Sequence, residues 1–312
     1  MRALVTGGAG FIGSHLVDAL LAGGHDVAVV DDLSRGSRTS VAPAARLHAV
    51  DVRTPALHDV LLAERPSVVF HQAAQIDVRR SISEPLLDTD INVVGTVNLL
   101  QACVAAGVRR VVFASSGGAI YGDTDALPTP ETHGAFPASL YGAAKLCGET
   151  YGGVYAQLYG LEFVALRYAN VYGPRQDPHG EAGVVAIFAR KLLGGDAPVI
   201  NGEGLQTRDY VYVGDVVRAN LLAAAADAAA LGAYNVGTGR QTDVNTLFGM
   251  IRSACGVSAE ASRGPSKPGE QMRSCLDVSR AAAMLGWTPQ VSLEDGLAAT
   301  VDWFREGVTA QR

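Results

Sequence analysis

What this chain lacks narrows its chemistry first. Its formal net charge is -6 and no block of Lys and Arg interrupts it. That argues against nucleic acid as the main partner, because neutralising phosphates takes clustered cations. The apolar runs break off well short of the roughly 20 residues a membrane helix needs, so no membrane partner is expected. No charged leader with an apolar signal region is visible, since the first residues already read as a strand. The four cysteines, Cys103, Cys147, Cys255 and Cys275, lie far apart without metal-ligand spacing. They are expected to be reduced thiols of a cytoplasmic protein that holds no metal. Repeats and low-complexity tracts are missing as well.

What is present begins with glycine. Gly7, Gly10 and Gly13 follow the short apolar run Ala3 to Thr6 and open a helix read from Phe11 to Ala22. Between strand and helix, the first glycine permits a tight turn and the second lets a pyrophosphate approach the backbone. The third brings the helix close to the sheet. The first amides of such a helix, at its positive end, favour an anion. Roughly 20 residues on, at the distance expected of a ribose acceptor, a second apolar run, Val27 to Val30, ends in Asp31-Asp32. A carboxylate there accepts hydrogen bonds from ribose hydroxyls and repels a 2′-phosphate. NAD is therefore expected over NADP, with Arg35 near enough to soften the preference.

Further apolar runs near Leu47 to Val50, Val68 to His71, Val111 to Ala114 and Phe163 to Leu166 alternate with helical stretches. This alternation predicts an α/β fold, a Rossmann-type doubly wound parallel sheet. Ligands bind beyond the carboxyl ends of such strands. The turns at the site are then Asp51-Val52, Ala73-Ala74-Gln75, Ser115-Ser116-Gly117-Gly118 and Tyr168-Ala169-Asn170. Past Gly173-Pro174 the alternation weakens, with Gly- and Pro-rich loops around 173–183 and 262–269. The expected organisation is a cofactor domain over 1–173, rejoined by about 205–240 with Tyr234-Asn235-Val236. Most of 174–312 is read as a smaller C-terminal α/β substrate domain.

Tyr141 and Lys145 stand four apart and share a helix face. A free phenol has a pKa of about 10, so poising it near neutrality takes about three units, or ~4 kcal/mol. A nearby ammonium supplies much of that. Alone the pair is a weak pattern that two solvated side chains also satisfy.

Taken in order, several stretches carry a resemblance. They are Thr6-Gly7-Gly8-Ala9-Gly10-Phe11-Ile12-Gly13, Asp31-Asp32-Leu33-Ser34, His71-Gln72-Ala73-Ala74, Asn92 in Asn-Val-Val-Gly-Thr, and Tyr141 with Lys145. Further on come Arg167-Tyr168-Ala169-Asn170-Val171-Tyr172-Gly173-Pro174-Arg175-Gln176 and Arg208-Asp209-Tyr210-Val211. With them the chain resembles the extended short-chain dehydrogenases/reductases and, over essentially its whole length, the UDP-glucose (UDP-galactose) 4-epimerases. The resemblance implies an NAD-dependent isomerase of a UDP-sugar. Tyr141 as phenolate takes the proton of the sugar 4-hydroxyl while hydride passes from C4 to NAD. The 4-keto sugar then rotates and takes hydride back on its other face. Lys145 lowers the tyrosine pKa and holds the nicotinamide ribose.

The same resemblance assigns cofactor contacts to Gly7, Gly10, Phe11, Ile12, Gly13, Asp31, Asp32, Leu33, Ser34, Gly36, Asp51, Val52, Gln72, Ala73, Ala74, Gln75, Asn92, Tyr141, Lys145 and Tyr168. Substrate contacts fall to Ser116, Gly117, Tyr141, Asn170, Val184, Val185, Asn201, Arg208, Glu270 and Ser274. Arg208 is read as the diphosphate clamp, since a planar guanidinium grips phosphate oxygens. The bland alternative is a surface ion pair with Asp209. Glu270 is read as an acceptor for the uridine ribose, against a solvated loop charge. A homodimer is implied through the outer faces of helices at about Ile91 to Ala106 and Leu140 to Leu158.

Two departures from the family pattern matter. Relatives carry Ser or Thr four residues before the tyrosine of Tyr-Gly. Here that tyrosine is Tyr121 and the position is Gly117. Either Ser116 takes over the hydrogen bond to the sugar or a water does, and Ser115 and Ser116 equally suit strand-end residues that satisfy backbone groups. An aromatic near the uracil is replaced by Asn201.

The resemblance also separates reactions. The 4,6-dehydratases place an acid pair just after that Ser/Thr, and decarboxylating relatives a glutamate. Gly118 and Ala119 exchange no proton, so simple 4-epimerisation is expected, with Tyr141, Lys145 and Ser116 as its catalytic group. Ser274 stands where some epimerases carry tyrosine, and a small residue there widens the pocket toward N-acetylhexosamines. UDP-glucuronate needs a partner for its carboxylate. Arg175 is close in sequence but out of register, the aligned position being Asp177. UDP-glucose, UDP-N-acetylglucosamine and UDP-glucuronate thus stay open. So do a non-catalytic NAD-binding regulator and an oxidoreductase that releases NADH. His71 reads as a satisfied core histidine, and Trp287 and Trp303 as packing of C-terminal helices.

Overall fold

A computed structural model describes residues 1–179, 183–266 and 271–310. The chain enters at β1 (Arg2–Thr6), turns on its glycines into α1 (Phe11–Ala22), and continues through β2 (Asp26–Asp31), β3 (Arg46–Ala49), α2 (Ala56–Glu64) and β4 (Val68–His71). Next come α3 (Val78–Ser83), α4 (Pro85–Thr89), a π-helical turn over Asp90–Val94, α5 (Gly95–Ala105), β5 (Arg110–Ser116), α6 (Gly117–Ile120), α7 (Leu140–Tyr159) and β6 (Glu162–Tyr168). Beyond them lie β7 (Asn170–Tyr172), α8 (Val184–Gly194), β8 (Val199–Asn201), β9 (Thr207–Arg208), β10 (Tyr210–Tyr212), α9 (Val213–Ala225) and β11 (Gly232–Val236). The last elements are β12 (Thr242–Asp243), α10 (Val244–Cys255), β13 (Ser262–Gly264), α11 (Ser279–Leu285) and α12 (Leu293–Ala310).

Seven strands form one parallel sheet in the order β11-β6-β5-β4-β1-β2-β3. This is the doubly wound α/β fold expected. Val27, Ala28, Val29 and Val30 are all buried, because helices cover both faces and leave no solvated side to alternate toward. One face packs Leu16, Leu20, Val29 and Val216, and the other Leu57, Leu61, Leu99 and Phe113. The order reverses between β1 and β4, which opens a crevice at their carboxyl ends.

Helix α7 carries Tyr141 and is delimited by its own chemistry. The Ser139 hydroxyl accepts from the Gly142 amide at 3.1 Å, and Gly160 ends the helix in the left-handed region at φ 69. Such a cap is worth about 1 kcal/mol, so Ser139→Ala would loosen the turn that holds the tyrosine.

A further core joins α8, α10 and α12 through Phe188, Leu192, Phe248, Ile251, Leu297 and Phe304. The chain also comes back to the sheet twice. One return is α9 with β11, and α9 packs on α1, β5 and β6. The other, not expected from the sequence, is α11 with Trp287, whose indole N–H donates to the Asp215 carbonyl at 2.9 Å. Trp287 packs as anticipated. Trp303 packs less fully: it stays 39% exposed, edge-to-face with Phe304, and lines a surface depression with the 39–43 segment.

The helix expected from Ile91 to Ala106 is broken differently. Pro85 starts α4, and the π turn precedes α5. The extra residue in that turn accompanies a two-way bracket: the Asn92 Nδ2 donates to the Gln75 carbonyl at 2.8 Å, and the Gln75 amide donates to Asn92 Oδ1 at 2.9 Å. Single π turns of this kind are frequent at functional sites. Gly117 and Gly118, read as a turn, begin the short helix α6.

Candidate active site

On the cofactor side, close approach requires the glycines. A Cβ on Gly7, which has φ +68, would stand 2.6 Å from the Ala73 nitrogen, and one on Gly13 would stand 2.1 Å from the Gly7 carbonyl oxygen. No side chain caps α1, so its leading amides, around Phe11 and Ile12, are left for an anion. Buried Asp31 holds this turn, accepting from the Ala9 amide at 2.9 Å and the Leu33 amide at 2.8 Å. Burial pushes its carboxyl up, and those two amides oppose the shift. Gly36 lies against Ala9, whose carbonyl carbon would be 2.8 Å from an added Cβ. Asp32 is exposed and holds both the amide and the hydroxyl of Ser34.

The other wall follows β3 and β4. Arg53 grips Asp51 through Nε and Nη2 and reaches Asp90 at 2.8 Å, which holds the Asp51 carboxyl below its usual range. Val52 is buried beside it. Gln72 Nε2 donates to the Tyr168 hydroxyl at 3.2 Å and to Asn220 Oδ1 at 3.1 Å. Ala73, Ala74 and Gln75 follow β4 into the crevice. The glycine cradle, the uncapped helix and the Asp31 carboxylate are together the donor and acceptor set that a dinucleotide needs.

His71 is the core histidine expected. Thr96 Oγ1 donates to the Asn92 carbonyl at 2.7 Å, so it accepts from His71 Nε2 at 3.1 Å. That leaves His71 Nδ1 to accept from the Thr6 hydroxyl at 2.7 Å. Burial drives its pKa down to about 3, with the Lys145 charge adding to the effect, so the ring is neutral.

Helix α7 faces the end of β5. Ser116 lies close enough to the Tyr141 phenol to favour its ionised form. Lys145 Nζ donates to the Ala114 carbonyl at 2.8 Å and lies 5.8 Å from the Tyr141 ring centroid. Burial pushes Tyr141 up to about 12; Ser116 opposes this and the Asp88 charge adds to it. Burial lowers Lys145 to about 8, against the carboxylates of Asp88 and Glu149. The sequence leads one to expect the ammonium to draw the phenol toward neutrality. Desolvation dominates instead, because Lys145 is buried and Tyr141 half-buried beside it.

Gly117 offers no hydroxyl, and its place is taken: a Cβ there would stand 2.5 Å from Leu276 Cδ1. Asn170 Oδ1 faces α6, 3.8 Å from where a Cβ on Gly118 would be. Arg208 Nη1 donates to the Thr207 carbonyl at 2.8 Å. Asp209 is no surface carboxylate. It is fully buried and accepts from the Thr238 amide and hydroxyl, Gly239 and Leu276. Ser274 is buried on the same segment as Leu276, and Asn201 faces Gly264 between β8 and β13. Val184 is partly buried, whereas the side chain of Val185 belongs to the third core. Glu270 lies outside the described residues. Arg175 is committed to α1 through Asp18 at 2.7 Å, which is no posture for a substrate carboxylate. The sequence reading missed Glu149, Asp88, Arg53 and Leu276. Only Glu149 carried a signal, standing four residues beyond Lys145 on the same helix face.

Comparison with known proteins adds independent findings. The chain matches the NAD dependent epimerase/dehydratase family over residues 3–237. It is 49% identical over 310 residues to the UDP-glucose 4-epimerase of Mycolicibacterium smegmatis, covering 98% of this chain and 99% of that one. The crystal structure of UDP-glucose 4-epimerase with UDP-glucose from Thermotoga maritima aligns with a TM-score of 0.95 at 46% identity, covering 99% of this chain and 100% of that chain. The Thermus thermophilus UDP-glucose 4-epimerase complex with NAD aligns at 0.94 and 46% identity, covering 98% and 99%. A match that runs unbroken through both the glycine cradle and the Tyr141 helix cannot come from one borrowed motif, and the chain belongs to the NAD dependent epimerase/dehydratase family.

Proposed function

We propose that this protein is an NAD-dependent 4-epimerase of a UDP-hexose, interconverting UDP-glucose and UDP-galactose. The observation that carries the reading is the convergence of Ser116, Tyr141 and Lys145 at the carboxyl end of the sheet. Gly117, Gly118 and Ala119 beside them have no side chain that exchanges a proton. One acid–base group serves a reaction confined to C4, whereas dehydration needs a second pair.

Tyr141 as phenolate takes the proton of the 4-hydroxyl and later returns it to the 4-keto oxygen. Ser116 fixes the hydroxyl–phenol line. Lys145, charged, stabilises the phenolate. Bound NAD supplies the acceptor for the C4 hydride, gives it back, and contributes a positive ring that favours the phenolate. Asp31 and the first turn of α1 hold the cofactor's ribose and pyrophosphate. Because the 4-keto sugar must turn over before it is reduced, the nucleotide end is gripped and the hexose is not. Arg208 is assigned the diphosphate, and Asn170, Asn201 and Ser274 the sugar-nucleotide contacts.

The acting unit is proposed to be a cytoplasmic homodimer. Support for the dimer comes from Leu140, Cys147, Tyr151, Val154 and Leu158, which are exposed and form one stripe along α7. The decisive experiment incubates the protein with UDP-glucose, UDP-N-acetylglucosamine or UDP-glucuronate without added reductant and resolves C4 epimers by NMR. Conversion of UDP-glucose is the expected result. Stoichiometric NADH with no epimer would replace the reading by a dehydrogenase.

A further inference from the structure

Three consecutive residues at the end of β5 are each held by a different turn of α7. Lys145 donates to the Ala114 carbonyl at 2.8 Å, the Ser115 hydroxyl donates to Glu149 Oε1 at 2.6 Å, and Ser116 lies near enough to the Tyr141 phenol to oppose the rise of its pKa. Tyr141, Lys145 and Glu149 rise on one helix face at intervals of four. Glu149 has no part in the proton transfers above. Its side chain is nonetheless only 10% exposed and receives Arg167 Nε at 2.9 Å and Nη2 at 2.6 Å.

From Arg167 the hydrogen bonds continue without a break. Arg167 Nη1 donates to the Tyr121 hydroxyl at 2.8 Å, and that hydroxyl donates to Asn235 Oδ1 at 2.8 Å. Asn235 Nδ2 donates to the carbonyls of Thr129 and Asp277, each at 2.9 Å. Asp277 adjoins Leu276, which fills the space over Gly117. A buried ion pair is by itself poor evidence of stabilisation, since desolvation offsets much of its attraction. Its hydrogen-bond geometry, however, fixes where the joined elements sit.

We propose that Glu149 is a positioning residue of the epimerase reaction. It sets the Ser115-Ser116 strand end against α7 so that Ser116 meets the Tyr141 hydroxyl, and through Arg167, Tyr121 and Asn235 it registers that strand end with the segment bearing Leu276. This rests on the 4-epimerase reading. Glu149 also bears on the charge of Lys145. The titratable and charged groups facing Lys145 are Tyr141 and Glu149 on α7, Asp88 on α4 and His71 on β4. His71 is neutral, and Arg167 offsets part of the Glu149 charge.

The test is Glu149→Gln in the full-length enzyme, assayed beside the wild type. The expected result is a kcat lower by about 10- to 100-fold, as for a misplacement near 1 Å, with KM and bound NAD unchanged. The alkaline limb of the kcat profile should also move to lower pH, because Lys145 loses a carboxylate that keeps it protonated. A lowered melting temperature with wild-type kcat and pH profile would overturn the proposal. If this variant fails to fold, Ser115→Ala removes the hydroxyl alone. A reduced kcat with an unmoved alkaline limb supports the positioning role, and wild-type kcat overturns it. Should the wild type itself epimerise none of the three sugars, the functional reading falls. Crystallography of both proteins then decides the positioning claim, which requires the Ser115-Ser116 strand end to shift relative to Tyr141 in Glu149→Gln and fails if it superposes on the wild type.

Discussion

Leu276 occupies the space that a side chain on Gly117 would need, its Cδ1 standing 2.5 Å from the absent Cβ. Gly117→Ser therefore overpacks a buried contact, and such insertions cost about 1–3 kcal/mol. Urea unfolding should show that loss. Leu276→Ala, a cavity change worth about 2–5 kcal/mol alone, should cost markedly less when combined with Gly117→Ser, since the two residues compete for one volume. Simple additivity would disprove the contact.

Tyr141→Phe removes the proton-transfer group and little volume. The epimerisation rate should fall by about 10²–10⁴-fold, while NAD co-purifies at the wild-type ratio. Ser116→Ala should give a smaller loss. A regulator that keeps NAD as a structural element would be indifferent to both changes in its binding assays.

His71 sets an acid limit on stability. Its pKa is lowered by burial to about 3 in the folded protein, against about 6.5 unfolded. Between those values the unfolded chain binds the proton and the folded one does not, so stability falls as pH drops below about 6.5. His71→Gln should lose stability at pH 7, because it disturbs the bonds to Thr6 and Thr96. It should nonetheless show a shallower further loss from pH 7 to pH 5 by urea unfolding. An unchanged slope would mean that His71 is not the titrating group.

Leu158 is 68% exposed at the end of the α7 stripe. Leu158→Glu should convert a sedimentation profile of twice the chain mass into one of a single chain, with the melting temperature becoming insensitive to concentration. A wild-type protein that sediments as a monomer at micromolar concentration would remove the dimer from the proposal.

Much of the sheet was legible because its strands are apolar runs bounded by glycine and polar turns, as in Val68–His71. Where β5 and β6 run on through Ser115-Ser116 and Arg167-Tyr168, the apolar signal had already stopped. Those polar residues stay in the ladder because their side chains find buried partners that lie far off in sequence. The same distance hid the rest of the site. Leu276 meets Gly117 across about half the length of the chain, and Glu149 shows its meaning only when Arg167 is laid beside it. Spacing identified which face of α7 matters, but the pairings across it come from tertiary packing.

The pairing of β11 with β6 has a consequence for how the protein is made. The glycine cradle is synthesised well before β11, so the sheet that holds it lacks an edge until residue 236 has followed, and Trp287 completes the covering face later still. Until then β6 presents unpaired backbone groups, which is where a growing chain is open to pairing with a neighbour. The cradle is thus laid down long before its sheet is complete, and ribosome-bound chains halted before β11 should be the aggregation-prone population.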